Sequence, residues 1–213
     1  VSLVKKLKIQ YDDFLVDIEN WEVLDKGVTV LWGPSGSGKT SVFRGLLGLE
    51  NQAQCSWLFN NQDLGQLPVN KRRIGVVFQN YELFSHMTAI QNIKFAAEAR
   101  NISDQEFKTN LSKLAQKLRV ESVLEKNVKL LSGGERQRVA LIQALIGKPN
   151  ILFLDEPFSA LDEELKQESR ELIKSVLSEQ EIPVLLITHD KRDVDALAQK
   201  VSLIKDGKVL SPN

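Results

Sequence analysis

The chain has 213 residues, of which 42% are hydrophobic and 26% charged, the balance of a soluble globular protein and not of a disordered or fibrous one. Lys plus Arg equals Asp plus Glu at 28 each, so there is no bulk positive field to draw in nucleic-acid phosphates, and nucleic acid is not expected as a partner. The length suits one domain, or one domain carrying a subdomain.

Residues 1–32 hold short alternating stretches, LKIQY, FLVDI, WEVL and VTVLW, divided by Asp-Asp, Glu-Asn and Lys-Gly turn signals. They predict small strands in antiparallel pairing, the last one feeding a glycine-rich loop. The N-terminus lacks a long apolar core before a small-residue cleavage site, so no secretory signal is expected. The apolar runs at 28–32, 151–154 and 184–187 fall far short of the roughly 20 residues that span a bilayer. Cys55 is the one cysteine, which excludes an internal disulfide and points to a reducing, cytoplasmic setting.

The glycine-rich loop reads Gly33, Pro34, Ser35, Gly36, Ser37, Gly38, Lys39, Thr40, with Ser41 next. It matches G-x-x-x-x-G-K-[ST] between a strand and a helix, where backbone N–H groups and a helix N-terminus can cradle phosphates. Lys39 is expected to reach the β and γ phosphates of a bound nucleotide, and Thr40 to offer its hydroxyl to Mg2+. Val42, Phe43, Leu46 and Leu47 recur at helical spacing, with Gly48 as the terminator.

Residues 84–130 read as amphipathic helices, AIQNIKFAAEAR and DQEFKTNLSKLAQKLRV, with Leu111, Leu114 and Leu118 on one face. Ser132 followed by Glu135 has the form of a capping box opening a helix to about Ile146. Ile151 to Leu154 lead straight into Asp155 and Glu156, placing two carboxylates at the mouth of a buried strand. Asp155 suits magnesium, and Glu156 suits orienting or deprotonating an attacking water. A helix from about Glu163 to Glu179, with Asp162 as its cap, and the strand PVLLIT follow. Alternating helix and strand implies parallel βα units with ligands at the carboxyl ends of the strands.

Leu131-Ser-Gly-Gly-Glu-Arg-Gln-Arg138 resembles the signature motif of ATP-binding-cassette ATPases. The resemblance runs over Leu3 to about Val209 and implies an α/β fold: a P-loop NTPase core with a parallel sheet, an N-terminal antiparallel β subdomain and an inserted helical subdomain. The antiparallel and core parts are expected at about 1–32 and 50–78, the helical subdomain at about 84–130, and the signature, Walker B and switch region over 131–213. It implies that Ser132, Gly133, Gly134 and Glu135 face the nucleotide of a second cassette, so that a homodimer or paired cassette sandwiches ATP. Gln79 matches the family's glutamine loop, which contacts magnesium or the attacking water. Asp162, in Ser159-Ala-Leu-Asp162, matches the loop that communicates across the dimer, and His189 matches the switch histidine at the γ phosphate. Tyr11 is the candidate for stacking on adenine, with Phe14 as the alternative.

RRIGVVFQNYELFSHMTAIQNI further resembles the cytoplasmic subunits of bacterial importers for oxyanions, ferric iron, polyamines and sugars. This implies an integral-membrane partner subunit, a solute-binding protein, and a cytoplasmic location peripheral to the inner face of the membrane. Glu135 stands where the family usually has Gln, Ser85 and Glu163 replace common prolines, and Gln143 replaces a common arginine. The C-terminal regulatory domain that sugar importers often carry is not expected within these residues. A rival reading, a soluble cassette ATPase acting on a nucleic-acid or ribosomal partner, is disfavoured by the balanced charge and the lack of a heptad run. A small-molecule kinase or GTPase leaves the signature, Gln79 and His189 without roles.

Overall fold

The computed structural model describes residues 2–210. In chain order the elements are β1 (Ser2–Gln10), β2 (Leu15–Val23), β3 (Gly27–Trp32), α1 (Lys39–Leu47), β4 (Gln54–Phe59), β5 (Gln62–Asp63), β6 (Ile74–Val77), α2 (Ala89–Glu98), α3 (Asp104–Leu118), α4 (Gly133–Ile146), β7 (Ile151–Asp155), α5 (Glu163–Leu177), β8 (Pro183–Thr188), α6 (Lys191–Leu197), β9 (Lys200–Lys205) and β10 (Lys208–Leu210). The chain divides into two compact units, Val1–Ile74 with Glu181–Asn213, and Gly75–Gln180.

In the first unit, an antiparallel sheet runs β2-β1-β4-β5, with Val4 opposite Trp21 and Leu7 opposite Ile18. The register of β1 on β4 shifts between Val4 and Lys6. That irregularity explains a change of parity in β1: Ser2 and Val4 are buried before it, Leu7 and Ile9 after it, and Lys5 and Lys6 are both exposed. Two sequence expectations are corrected here. FLVDI and WEVL belong to one strand, β2, because the expected turn at Glu19-Asn20 is absorbed by a left-handed Asn20 (φ 51°) within a continuous ladder.

The second correction concerns VTVLW, which is not antiparallel. β3 lies in the order β10-β9-β3-β8 and pairs parallel with both neighbours, Val30 meeting Leu186 on one side and Val201 on the other. Val28 to Leu31 are all buried, and a strand covered on both faces reads as an unbroken apolar run, the signature of a parallel core. α1 follows β3 and buries Val42, Phe43, Leu46 and Leu47, ending at Gly48 in a left-handed cap (φ 80°) that donates back to Arg44 and Gly45. Arg72 is buried and donates to the Leu46 carbonyl at 2.6 Å and to the Leu67 carbonyl at 3.0 Å. It thus satisfies an end-of-helix acceptor in α1.

In the second unit, β7 lies beside β6 and all of Ile151–Asp155 is buried. α2 and α3 fall within residues 84–130, and both pack on α4. Phe107, Leu111, Leu114 and Leu118 form the buried face of α3, and Val139, Ala140, Ile142 and Ile146 that of α4. Ser103 and Thr88 cap α3 and α2. Among the described residues no helix is long and apolar enough to cross a membrane.

Candidate active site

Trp32 is the register partner of Thr188 across the parallel pair β3–β8. Gly33 and His189 therefore leave neighbouring strands at the same, carboxyl, end, where open α/β sheets bind ligands. Gly33 has no room for a side chain, since a Cβ there would lie 2.3 Å from the Ile204 carbonyl oxygen of β9. Pro34, Ser35 and Gly36 are exposed and Ser37 is buried. Gly38 is the left-handed N-cap of α1 (φ 100°), with no side chain capping it and no acid in the first turn. The opening N–H groups of α1 are thus unopposed by any carboxylate of that turn, the electrostatic setting for an anion. Lys39 is 6% exposed and folds back to donate to the Gly33 carbonyl at 2.9 Å and the Pro34 carbonyl at 2.8 Å. Thr40 is exposed beside it, and Ser41 is half-buried.

Two aromatic candidates lie in the same unit as the loop. Phe14 is packed on Gly38, its ring edge 3.0 Å from where a Cβ would stand. Tyr11 is half-buried in the turn closed by its N–H on the Phe14 carbonyl at 2.8 Å. His189 is exposed and sits on a braced turn. The Thr188 hydroxyl donates to Asp193 at 2.6 Å, accepts from the Asp190 N–H at 3.0 Å, and Asp190 in turn caps α6.

The second unit holds the remaining predicted residues. Gln79 is exposed just past β6 and lines a cavity of about 320 Å³ with Tyr81, Val128, Lys129, Arg136 and Ala160. Asp155 is 8% exposed at the end of β7. Glu156 is half-buried with its backbone in the left-handed region at φ 44°, a conformation a non-glycine residue keeps only when its surroundings hold it there. Ser159 supplies part of that hold, its N–H and hydroxyl both donating to the Glu156 carbonyl, at 3.1 and 2.9 Å. Asp162 ends the same loop by capping α5 through the Leu165 N–H at 3.0 Å.

Ser132 and Glu135 form the reciprocal capping box that opens α4: the Glu135 N–H donates to the Ser132 hydroxyl at 3.2 Å, and the Ser132 N–H to the Glu135 carboxylate at 2.7 Å. The hydrogen bond from the Ser132 backbone holds the Glu135 carboxyl below the usual carboxylate range, with burial opposing it. Gly133 is half-buried and Gly134 buried at the same helix start.

Taken unit by unit, Thr40 offers a hydroxyl in the first, and Gln79 and Asp155 offer an amide carbonyl and a carboxylate in the second, all oxygen donors of the kind a hard cation such as Mg2+ takes. Among the described residues no cluster of His, Cys, Asp or Glu could hold a metal ion alone. Sequence reasoning did not single out Gln137, Tyr81, Asp193 or Gly207. Each acts through a backbone or hydroxyl contact that only the folded chain reveals.

The family described as ABC transporter matches residues 17–159. The sulfate/thiosulfate import ATP-binding protein CysA of Synechocystis sp. is 37% identical over 97% of this chain and 59% of its own length. The Fe(3+) ions import ATP-binding protein FbpC of Fusobacterium nucleatum is 34% identical over 93% of this chain and 53% of its own. The chain therefore spans between half and three-fifths of these relatives. Among solved structures, a dimeric post-hydrolysis ATP-binding cassette bound to ADP and Pi superimposes with a TM-score of 0.80 over 99% of this chain and 97% of that one, at 24% identity. That likeness establishes the α/β cassette fold.

Proposed function

Because the chain belongs to the ABC transporter family, we propose that it is the ATP-hydrolysing subunit of an importer, powering solute movement through a separate integral-membrane subunit. The observation that carries the reading is the loop Gly33–Thr40 set between β3 and α1, with Lys39 turned into it. The names of its relatives, which are import ATP-binding proteins for sulfate/thiosulfate and for Fe(3+) ions, support the importer assignment. A solute-binding protein on the far side of the membrane belongs to the same proposal, as does a peripheral, cytoplasmic location.

In this reading the N–H groups of Gly33–Ser41 and the start of α1 hold the phosphates, and Tyr11 or Phe14 stacks on adenine. Lys39 leaves the Gly33 and Pro34 carbonyls to neutralise the β and γ phosphates. Mg2+ would be held by Thr40, Gln79 and Asp155, and it supplies charge neutralisation of the phosphate oxygens when bound. Glu156 takes a proton from the attacking water as its oxygen bonds to the γ phosphorus, the bridging P–O bond breaks, and ADP leaves with the electron pair. His189 and Gln79 donate to the γ phosphoryl group or water. Ser132 to Glu135 and Asp162 serve the nucleotide of a second copy, so each site is composite and closes in a homodimer.

Steady-state assays of the purified chain test this directly. Magnesium-dependent release of phosphate from ATP is expected, falling at least about a hundredfold in Lys39→Ala. Turnover stimulated by a co-purifying membrane subunit supports the transport reading; stimulation by nucleic acid alone contradicts it.

A further inference from the structure

Pro157 directly follows Glu156, and its carbonyl oxygen is a junction of three segments in the second unit. The Gln137 side-chain amide, from the second turn of α4, donates to it at 2.7 Å, and the Tyr81 hydroxyl, two residues past Gln79, donates to it at 3.3 Å. A carbonyl only accepts, so the nitrogen of the Gln137 amide faces Pro157. Gln137 is 0% exposed, and its oxygen has no partner among the described residues. The side chain's polar commitment is therefore to Pro157. An apolar residue would fill this buried place on α4, among Val139, Ala140 and Leu141, without leaving an acceptor unpaired. Packing alone does not account for a glutamine there.

What the hydrogen bond secures is the peptide on the far side of Glu156. Backbone in the left-handed region at φ 44° persists only where its surroundings hold it, and here two successive carbonyls on its C-terminal side are held. Ser159 takes the Glu156 carbonyl, and Gln137 with Tyr81 takes the next one. We propose that Gln137 is a positioning residue for Glu156, tying the helix that starts at Ser132 to the carboxylate that activates water, so that turnover depends on this buried bond and ATP affinity does not. The inference rests on the reading of Glu156 as the base.

The test compares Gln137→Leu, Gln137→Glu and Glu156→Gln with the unaltered chain, measuring kcat, KM for ATP and thermal midpoint. Gln137→Leu is expected to lower kcat by about tenfold or more with KM within about twofold. Gln137→Glu places a carboxyl whose pKa burial raises. Protonated, it donates O–H to Pro157; ionised, it repels the carbonyl. Its activity relative to the unaltered chain is therefore expected to rise as pH falls from about 8 to about 6. Tyr81, whose hydroxyl burial pushes up to about 12 against the pull of Arg136, stays a donor throughout. Should Gln137→Leu fail to fold, the pH profile of Gln137→Glu carries the test. An unchanged kcat in Gln137→Leu, or a flat ratio in Gln137→Glu, while Glu156→Gln is inactive, overturns the positioning role and leaves the base reading standing. Full activity in Glu156→Gln removes the base reading, and the inference with it.

Discussion

The backbone N–H of Gly207 donates to the Ser37 carbonyl at 3.1 Å, while the Gly207 carbonyl accepts from the Asp17 N–H at 2.9 Å. One residue at the β9–β10 turn thus ties the phosphate loop to β2. Ile204, three residues earlier, closes the back of the same loop at Gly33. The loop's curvature is fixed from outside its own sequence, by β9 and the turn that follows it.

Gly207 adopts φ 75°, and a Cβ on it would lie 2.0 Å from the Leu15 carbonyl oxygen. Gly207→Ala must therefore shift the turn away from Leu15, which disturbs the hydrogen bond that the same residue makes to Ser37. The expected result is a rise in KM for ATP of about tenfold, equivalent to ~1.4 kcal/mol. Lys208→Ala, on the exposed neighbour, leaves KM unchanged. Initial rates of phosphate release over a range of ATP concentrations for both variants measure the difference.

The capping box of α4 predicts a dependence on acid. Glu135 has its carboxyl pKa lowered by the Ser132 N–H, so it contributes stability that is complete above its unfolded value, near 4.5, and that is lost as pH falls below it. Glu135→Gln keeps an acceptor but removes the titrating group. Denaturant midpoints of the two proteins are expected to converge as pH falls below the unfolded value, the unaltered chain losing its advantage. Ser132→Ala, which deletes the other half of the box, is expected to lower stability by about 1 kcal/mol at every pH.

Much of this was legible in the residues themselves. Gly33–Thr40 declares a strand–loop–helix because only that context uses its glycines and lysine together. Likewise, the apolar face of α3 follows from the spacing of Leu111, Leu114 and Leu118. The pairing of β3 was not legible, because a short run such as VTVLW is equally a strand of a small sheet or of a parallel core. Its partners, β8 and β9, lie more than 150 residues further along. Asn20 misled for a local reason: Glu-Asn is a turn signal, yet Asn tolerates φ 51° inside a strand. The roles of Gln137 and Gly207 rest on carbonyl acceptors, which every residue carries and no motif advertises.

The composite site is the claim on which the functional account stands, and mixing two inactive subunits measures it most directly. Ser132→Arg blocks the signature but keeps the phosphate loop, and Lys39→Ala does the reverse. Each alone is expected to be inactive. In an equimolar mixture, about half the dimers pair the two variants and carry one intact site of two, so ATP turnover should recover to about a quarter of the unaltered level. Mixed dimers that form yet hydrolyse no ATP, or a Ser132→Arg protein that turns over normally on its own, would contradict the account.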